Sequence, residues 1–95
     1  MVKLVDLLAQ ASTLGFMYVY ILRSVAKNWN YVGITQDIDN RIQRHNSGTE
    51  RSTKPYRPYR LLFVQETDDY TSARILEKFL KVRFNKEALL KLIGA

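Results

Sequence analysis

The chain contains no cysteine. Neither a disulfide nor a thiolate metal site can therefore hold it together, and no thiol can serve as a nucleophile. A reducing cytoplasm is the expected location. Proline and glycine are sparse, at two and four residues, and there is no low-complexity tract or internal repeat. No apolar stretch approaches the roughly 20 residues that a membrane-spanning helix needs, so a soluble protein is expected. The opening MVKLVDLLAQASTLGF is a poor secretory signal, because Lys3 is its only early positive charge and Asp6 interrupts the apolar run.

What is present fits one globular domain. Ninety-five residues, 46% of them hydrophobic and 12% aromatic, share a single core, and a chain of this size buries only a modest fraction of its surface. Lysine and arginine exceed aspartate and glutamate by 15 to 9, a net charge of +6. That balance favours polyanions, nucleic acid first among them. Small proteins also carry such charge with no special partner, so the positions of the charges must decide.

Along the chain, Leu4, Leu7, Leu8 and Ala11 recur at helical spacing before Gly15, which predicts a short amphipathic helix over residues 1–16 ahead of a domain at 17–95. MYVYIL (17–22) and YVGIT (31–35) are dense in aromatic and β-branched residues, and SVAKNWN joins them. A β-hairpin is expected, with Trp29 packed at its edge. Asp37 is a good N-cap for a helix over 38–46 that stops at Gly48. Ile38 and Ile42 then face the core, while Arg41 and His45, also four apart, converge on one spot.

Residues 47–60, SGTERSTKPYRPYR, form a loop with four basic residues and two tyrosines, a composition suited to gripping phosphate or to a solvated linker. LLFVQE (61–66) reads as a third strand. Asp68, Asp69 or Thr71 caps a helix through SARILEKFLKVRF, with Ile75, Leu76, Phe79, Leu80 and Val82 as its apolar face and Glu77 at the edge of that face. A last helix is expected over 86–93. The order β-β-α-β-α-α predicts an α+β fold, a small three-stranded antiparallel sheet flanked by helices.

Several of these pieces together resemble the GIY-YIG nuclease superfamily over residues 17 to about 93. Tyr18-Val19-Tyr20 stands at the first motif and Tyr31-Val32-Gly33 at the second, Tyr31 following Tyr20 by eleven positions. Arg41 comes eight residues after Gly33 and His45 four after that, where the family's arginine and histidine are expected. Glu77, in ARILEKFLK, matches its metal-ligand glutamate. The compact single-domain branch is the nearest in pattern. Tyr18 replaces the motif's first glycine, Val19 replaces its isoleucine, and Ile34 follows Gly33 where the excision-repair nuclease has lysine. Asn85 lies too near Glu77 to match the late asparagine of several relatives.

The resemblance implies a metal-dependent endonuclease hydrolysing DNA phosphodiester bonds, with preference for a nucleic-acid structure and a role in DNA repair among its expectations. One Mg²⁺ or Mn²⁺ ion would sit on Glu77, since a hard carboxylate with retained waters suits those ions. Arg41 would grip the scissile phosphate. Tyr31 is the candidate general base with Tyr20 its partner, and His45 orients or shares the proton. Gly33, Lys54, Arg57 and Arg60 are candidate nucleic-acid contacts. DNA is expected before RNA, with a protein partner supplying specificity and no membrane contact. Such chemistry requires the phenols, guanidinium and carboxylate to gather around one solvent-accessible pocket.

Each residue also has a plain structural role open to it. Tyr20 and Tyr31 can be ordinary aromatics packed across a hairpin. Arg41 can pair with Asp37, Glu77 with Lys81, and His45 can cap a helix end. Gly33 either admits a phosphate or helix close to the backbone or marks a strand-end bulge. A nucleic-acid-binding module that does not cut, and a protein-interaction domain of the same fold, are the competing functions.

Overall fold

The computed structural model describes residues 16–95, so the helix expected over residues 1–16 lies outside the described residues save for Phe16. Strand β1 (Met17–Ser24) and strand β2 (Asn30–Thr35) form the hairpin, followed by helix α1 (Ile38–Ser47), a 3₁₀ turn (Lys54–Tyr56) and strand β3 (Tyr59–Thr67). Helices α2 (Tyr70–Lys81) and α3 (Arg83–Leu92) complete the order. The sheet runs β2-β1-β3 with both pairings antiparallel. This is the expected three-stranded α+β architecture.

Strand β1 occupies the centre, and its side-chain period of two divides the core. Val19 and Ile21 point to one face, where Ala73 and Leu80 of α2 and Leu90 of α3 close over them. Tyr20 and Leu22 point to the other, into a cluster with Tyr59, Ile38 and Ile42 under α1. A strand buried on both faces needs apolar or aromatic residues at every position, which is why YVYIL shows no alternation. Each fully buried aliphatic side chain contributes about 1.5–3 kcal/mol by leaving water.

The helix ends follow local chemistry. Asp37 accepts from the Asn40 N–H at 3.1 Å, as its N-cap position requires. Asp69 accepts from the Ser72 N–H at 2.7 Å, and hydrogen bonding from Ser72, the backbone first, holds its carboxyl below the usual value. Gly48 ends α1 in the left-handed region at φ +82°, returning its N–H to the Arg44 and His45 carbonyls.

Two boundaries differ from expectation. Strand β3 begins at Tyr59, two residues early, because the Asn46 side chain takes the Tyr59 N–H at 2.6 Å and Tyr59 pairs with Ser24. Arg60 is thus a strand residue, not part of a loop. The long helix stops at Lys81, where Val82 is extended and serves as both C-cap of α2 and N-cap of α3. The Asn85 side chain satisfies the freed Phe79 carbonyl at 3.0 Å, and the break lets Leu90 turn onto the core. The apolar face of α2 is corrected accordingly: Ala73, Leu76 and Leu80 face the sheet, whereas Ile75, Phe79 and Val82 are exposed.

A Cβ at position 48 would collide with the Arg57 guanidinium, and the positive φ disfavours any side chain. Gly48→Ala is expected to lower stability by about 1–2 kcal/mol, measured as a reduced urea midpoint.

Candidate active site

On the α1 face of the sheet a chain of hydrogen bonds begins at Tyr20, 1% exposed, and passes through His45, also 1% exposed. The Tyr20 hydroxyl lies 2.9 Å from His45 Nε2. His45 Nδ1 lies 2.9 Å from Thr53 Oγ1, and Thr53 Oγ1 donates to the Glu50 carbonyl at 3.3 Å. A carbonyl only accepts, so the direction of every bond follows from that last one. Thr53 spends its proton on Glu50 and accepts from Nδ1–H. Nε2 is then the bare nitrogen, and Tyr20 donates to it.

The sequence spacing that brought Arg41 and His45 together thus has a different result for each. His45 turns inward, and it does not cap the helix end. Burial pushes its pKa below the ordinary 6.5, with Arg41 and Arg44 acting in the same sense and Glu50 opposing. Burial, then the neighbouring Tyr31, raises the Tyr20 phenol well above its ordinary value, while Arg41 opposes. Both groups are neutral near pH 7.

Tyr31 leans over this pair, its ring centroid 4.9 Å from His45 and 6.1 Å from Tyr20. It is half-buried, on the edge strand β2. Gly33 pairs with Tyr20 across the hairpin, and a Cβ there would sit 2.5 Å from the Tyr20 hydroxyl and 2.8 Å from Tyr31 Cε1. The missing side chain therefore makes room for two phenols. Gly33 lies in mid-strand and is not a strand-end bulge. Trp29 stacks on Tyr56 at 4.1 Å and flanks Tyr31 at 6.1 Å, closing the end of the hairpin.

Arg41 does not pair with Asp37. Its Nη1 meets Glu50 Oε1 at 3.2 Å, and Arg44 Nη2 reaches the same oxygen at 2.8 Å. One carboxylate thus serves two guanidiniums, leaving a positive surplus beside the phenols. Glu50, Arg44 and Thr53 are functional neighbours that sequence reasoning missed. Glu50 and Thr53 come from the loop, at spacings that no single helix or strand makes meaningful, whereas Arg44 follows Arg41 by three on α1, a helical spacing that could have signalled it.

Glu77 stands apart from this group. It lies between Ala73 and Leu80 on the sheet-facing stripe of α2, 7% exposed, on the face opposite Tyr20. Arg74 Nη1 is bonded to its Oε1, and Lys81 Nζ lies 3.2 Å from its Oε2. The expected gathering of all four groups around one open pocket is therefore corrected. The tyrosines, His45 and Arg41 adjoin one another in a largely buried cluster, and the two-residue period of β1 sends α2 and Glu77 to the other side. Helix α2 does pack against β2, the strand that carries Tyr31.

Among the described residues, no group of three or more His, Cys, Asp or Glu side chains could hold a metal ion. A lone carboxylate does not fit a resident ion. It would suit a hydrated divalent ion whose remaining ligands come from water and a substrate phosphate. Arg74 and Lys81, whose side chains are 44% and 53% exposed, can swing aside.

The three candidate contacts after α1 separate in space. Lys54 is exposed on the 3₁₀ turn. Arg57 folds back over Gly48 and donates to the Ser47 carbonyl at 2.9 Å, stabilising the C-terminus of α1. Arg60 lies on the α3 face of the sheet, paired with Arg23.

A family described as the GIY-YIG catalytic domain matches residues 16–90. The chain is 39% identical over 70 residues to a UPF0213 protein of Pediococcus pentosaceus, covering 73% of this chain and 72% of that one. The solution NMR structure of a UPF0213 protein from Bacillus halodurans superposes with a TM-score of 0.52 at 34% identity, over 81% of this chain and 84% of the other.

Two measurements test the buried network. Tyr20→Phe leaves His45 Nε2 without a donor and is expected to cost about 1–3 kcal/mol by chemical denaturation. His45 is the only histidine, so its NMR titration should report a pKa below 6.5. In that window the unfolded chain binds the proton before the native one does, so stability falls as pH drops from 6.5 toward the native pKa and is full above it. His45→Gln should abolish that slope.

Proposed function

Because the chain belongs to the GIY-YIG catalytic-domain family, we propose that it is an endonuclease hydrolysing DNA phosphodiester bonds with one divalent metal ion. The GIY-YIG catalytic domain is a nuclease-type domain that implies interaction with nucleic acid, and nucleases of this type generally use divalent ions. The observation that carries the reading for this chain is the Tyr20–His45–Thr53 relay beside Tyr31 and the shared Arg41–Glu50 pair.

The residues divide the work by burial. Tyr20 holds its proton and is aimed at His45, so it positions and does not act as a base. Proton acceptance from the attacking water falls to Tyr31, the less buried phenol, as a phosphate and its counter-charges gather beside it. His45, neutral and fixed by Thr53, holds the Tyr20 hydroxyl in place beside Tyr31. Arg41 provides planar donors for the scissile phosphate. When a phosphate takes Arg41, Glu50 keeps Arg44 at 2.8 Å, so no carboxylate is left unpaired. That exchange lowers the cost of recruiting Arg41.

Glu77 would hold the divalent ion, which supplies positive charge to the phosphoryl and leaving oxygens when bound. The meeting place is the β2 edge of the sheet, since β2 carries Tyr31 and α2 packs against it. An edge strand is the one place where a substrate can touch groups belonging to both faces. Lys54 on the exposed 3₁₀ turn extends the positive surface on the α1 side.

One observation favours a second reading, a nucleic-acid-binding module that does not cut. Both Glu77 oxygens are engaged by cations of its own helix, which stabilises α2 without any metal. The two readings part on divalent ion. A nuclease cuts branched, nicked, single-stranded or duplex DNA only with Mg²⁺ or Mn²⁺. Arg41→Ala and Glu77→Ala should each reduce that rate by roughly 10²–10³-fold while DNA binding persists, and Tyr31→Phe should do the same. Binding with no cleavage of any of these substrates by the wild-type protein selects the module.

A further inference from the structure

At the hairpin end of the sheet, on the face away from Tyr20, three polar side chains stand in register across all three strands. Asn30 of β2 pairs with Arg23 of β1, and Arg23 pairs with Arg60 of β3. Two arginines directly opposite each other in an antiparallel pair bring like charges onto adjoining strands, and such pairs destabilise a sheet. Proteins ordinarily place a carboxylate nearby to relieve this. Among the described residues no carboxylate lies within ion-pair distance of either arginine, and Arg23 has only the Asn30 side-chain oxygen at 3.4 Å.

Three adjoining clefts meet at Arg23. One of about 440 Å³ is bounded by the hairpin turn with Lys27 and by Arg60. A second of about 320 Å³ reaches Arg83 and Lys86 in the first turn of α3. A third of about 300 Å³ runs between Arg60 and Leu90. Among the described residues the acidic side chain bordering them is Glu87, which Arg83 Nε occupies at 2.9 Å, and the last residue, Ala95, lines the third cleft. The charged side chains of the lining are therefore five cations and one spent carboxylate.

We propose that Arg23 and Arg60 form a clamp for the phosphate backbone of nucleic acid, flanked by Lys27, Arg83 and Lys86 and separate from the Tyr31–Arg41 site. A phosphate between two guanidiniums turns their repulsion into two charge-assisted, bidentate contacts. Three clefts sharing one arginine suit a run of phosphates better than a single small anion. The stability given up by facing the two charges is recovered only in the complex, a trade that marks binding surfaces. The inference rests on the nucleic-acid reading above and adds a second contact to it, on the opposite face of the sheet. A substrate reaching both would pass round the hairpin end or present two segments.

The test compares wild type with the double variant R23Q/R60Q on a short DNA duplex, by fluorescence anisotropy over a salt series. Loss of two phosphate contacts should flatten the slope of log affinity against log salt by roughly 1.8, at about 0.9 per phosphate, and weaken binding at low salt by roughly tenfold or more. The single variant R60Q should show about half the change in slope. Without DNA, both variants should melt at or above the wild-type temperature, since a repulsion has been removed. In the wild-type protein the Nε–H NMR signals of Arg23 and Arg60 should shift as duplex is added, which keeps the proposal testable should a variant fold badly. Unchanged affinity, slope and signals in a protein that binds DNA overturn the clamp alone. Absence of any binding overturns the clamp and the nucleic-acid reading together. Binding that flattens as expected without cleavage leaves the clamp standing and removes only the nuclease.

Discussion

The hydrogen bond from Tyr20 to His45 is the contact on which the arrangement of this domain turns. Both partners are buried on the inner side of α1, where neither water nor a charge can stand in for the other. Satisfying Tyr20 requires His45 at the fourth turn position from Arg41, satisfying His45 requires Thr53, and satisfying Thr53 requires the Glu50 backbone. Central strand, first helix and following loop are therefore fixed to one another by buried polar groups. Gly33 belongs to the same constraint, because any side chain opposite Tyr20 would displace the phenol that starts the relay.

The constraint also explains the electrostatics around it. With Glu50 held in place by its backbone role, its carboxylate becomes a fixed anion for Arg41 and Arg44. Two cations on one anion leave a surplus that a phosphate can use. The buried groups stay neutral, so the charge is carried at the rim, where Arg41 is partly exposed. A preorganised neutral interior with a positive margin stabilises developing negative charge without rearranging.

The two faces of β1 impose a division of labour on the sheet. The α1 face holds polar aromatics and the relay. The α2 and α3 face holds the aliphatic core, with Glu77 buried at its border and an unbalanced arginine pair at its open end. Positive charge is consequently not one stripe. It is split between the α1 rim and the hairpin end, and the two lie on opposite sides of a sheet one strand wide at its edge.

Composition and periodicity determined the element order, the hairpin, the Asp37 and Gly48 helix ends and the α+β class, because these depend on short-range spacing and on residues with strong local preferences. The motif pattern also determined which tyrosines, arginine and histidine belong near one another. Tertiary structure alone decided that His45 turns inward to a threonine eight residues on, that Arg41 pairs with Glu50 and not Asp37, that Glu77 falls on the far side of the sheet, and that Arg60 belongs with Arg23. Each of those outcomes depends on strand register and on which face of a helix meets the sheet. Apolar periodicity could not supply the second of these for α2: Ile75, Phe79 and Val82 are as hydrophobic as Leu76 and Leu80, and only packing against Val19 and Ile21 chose between them.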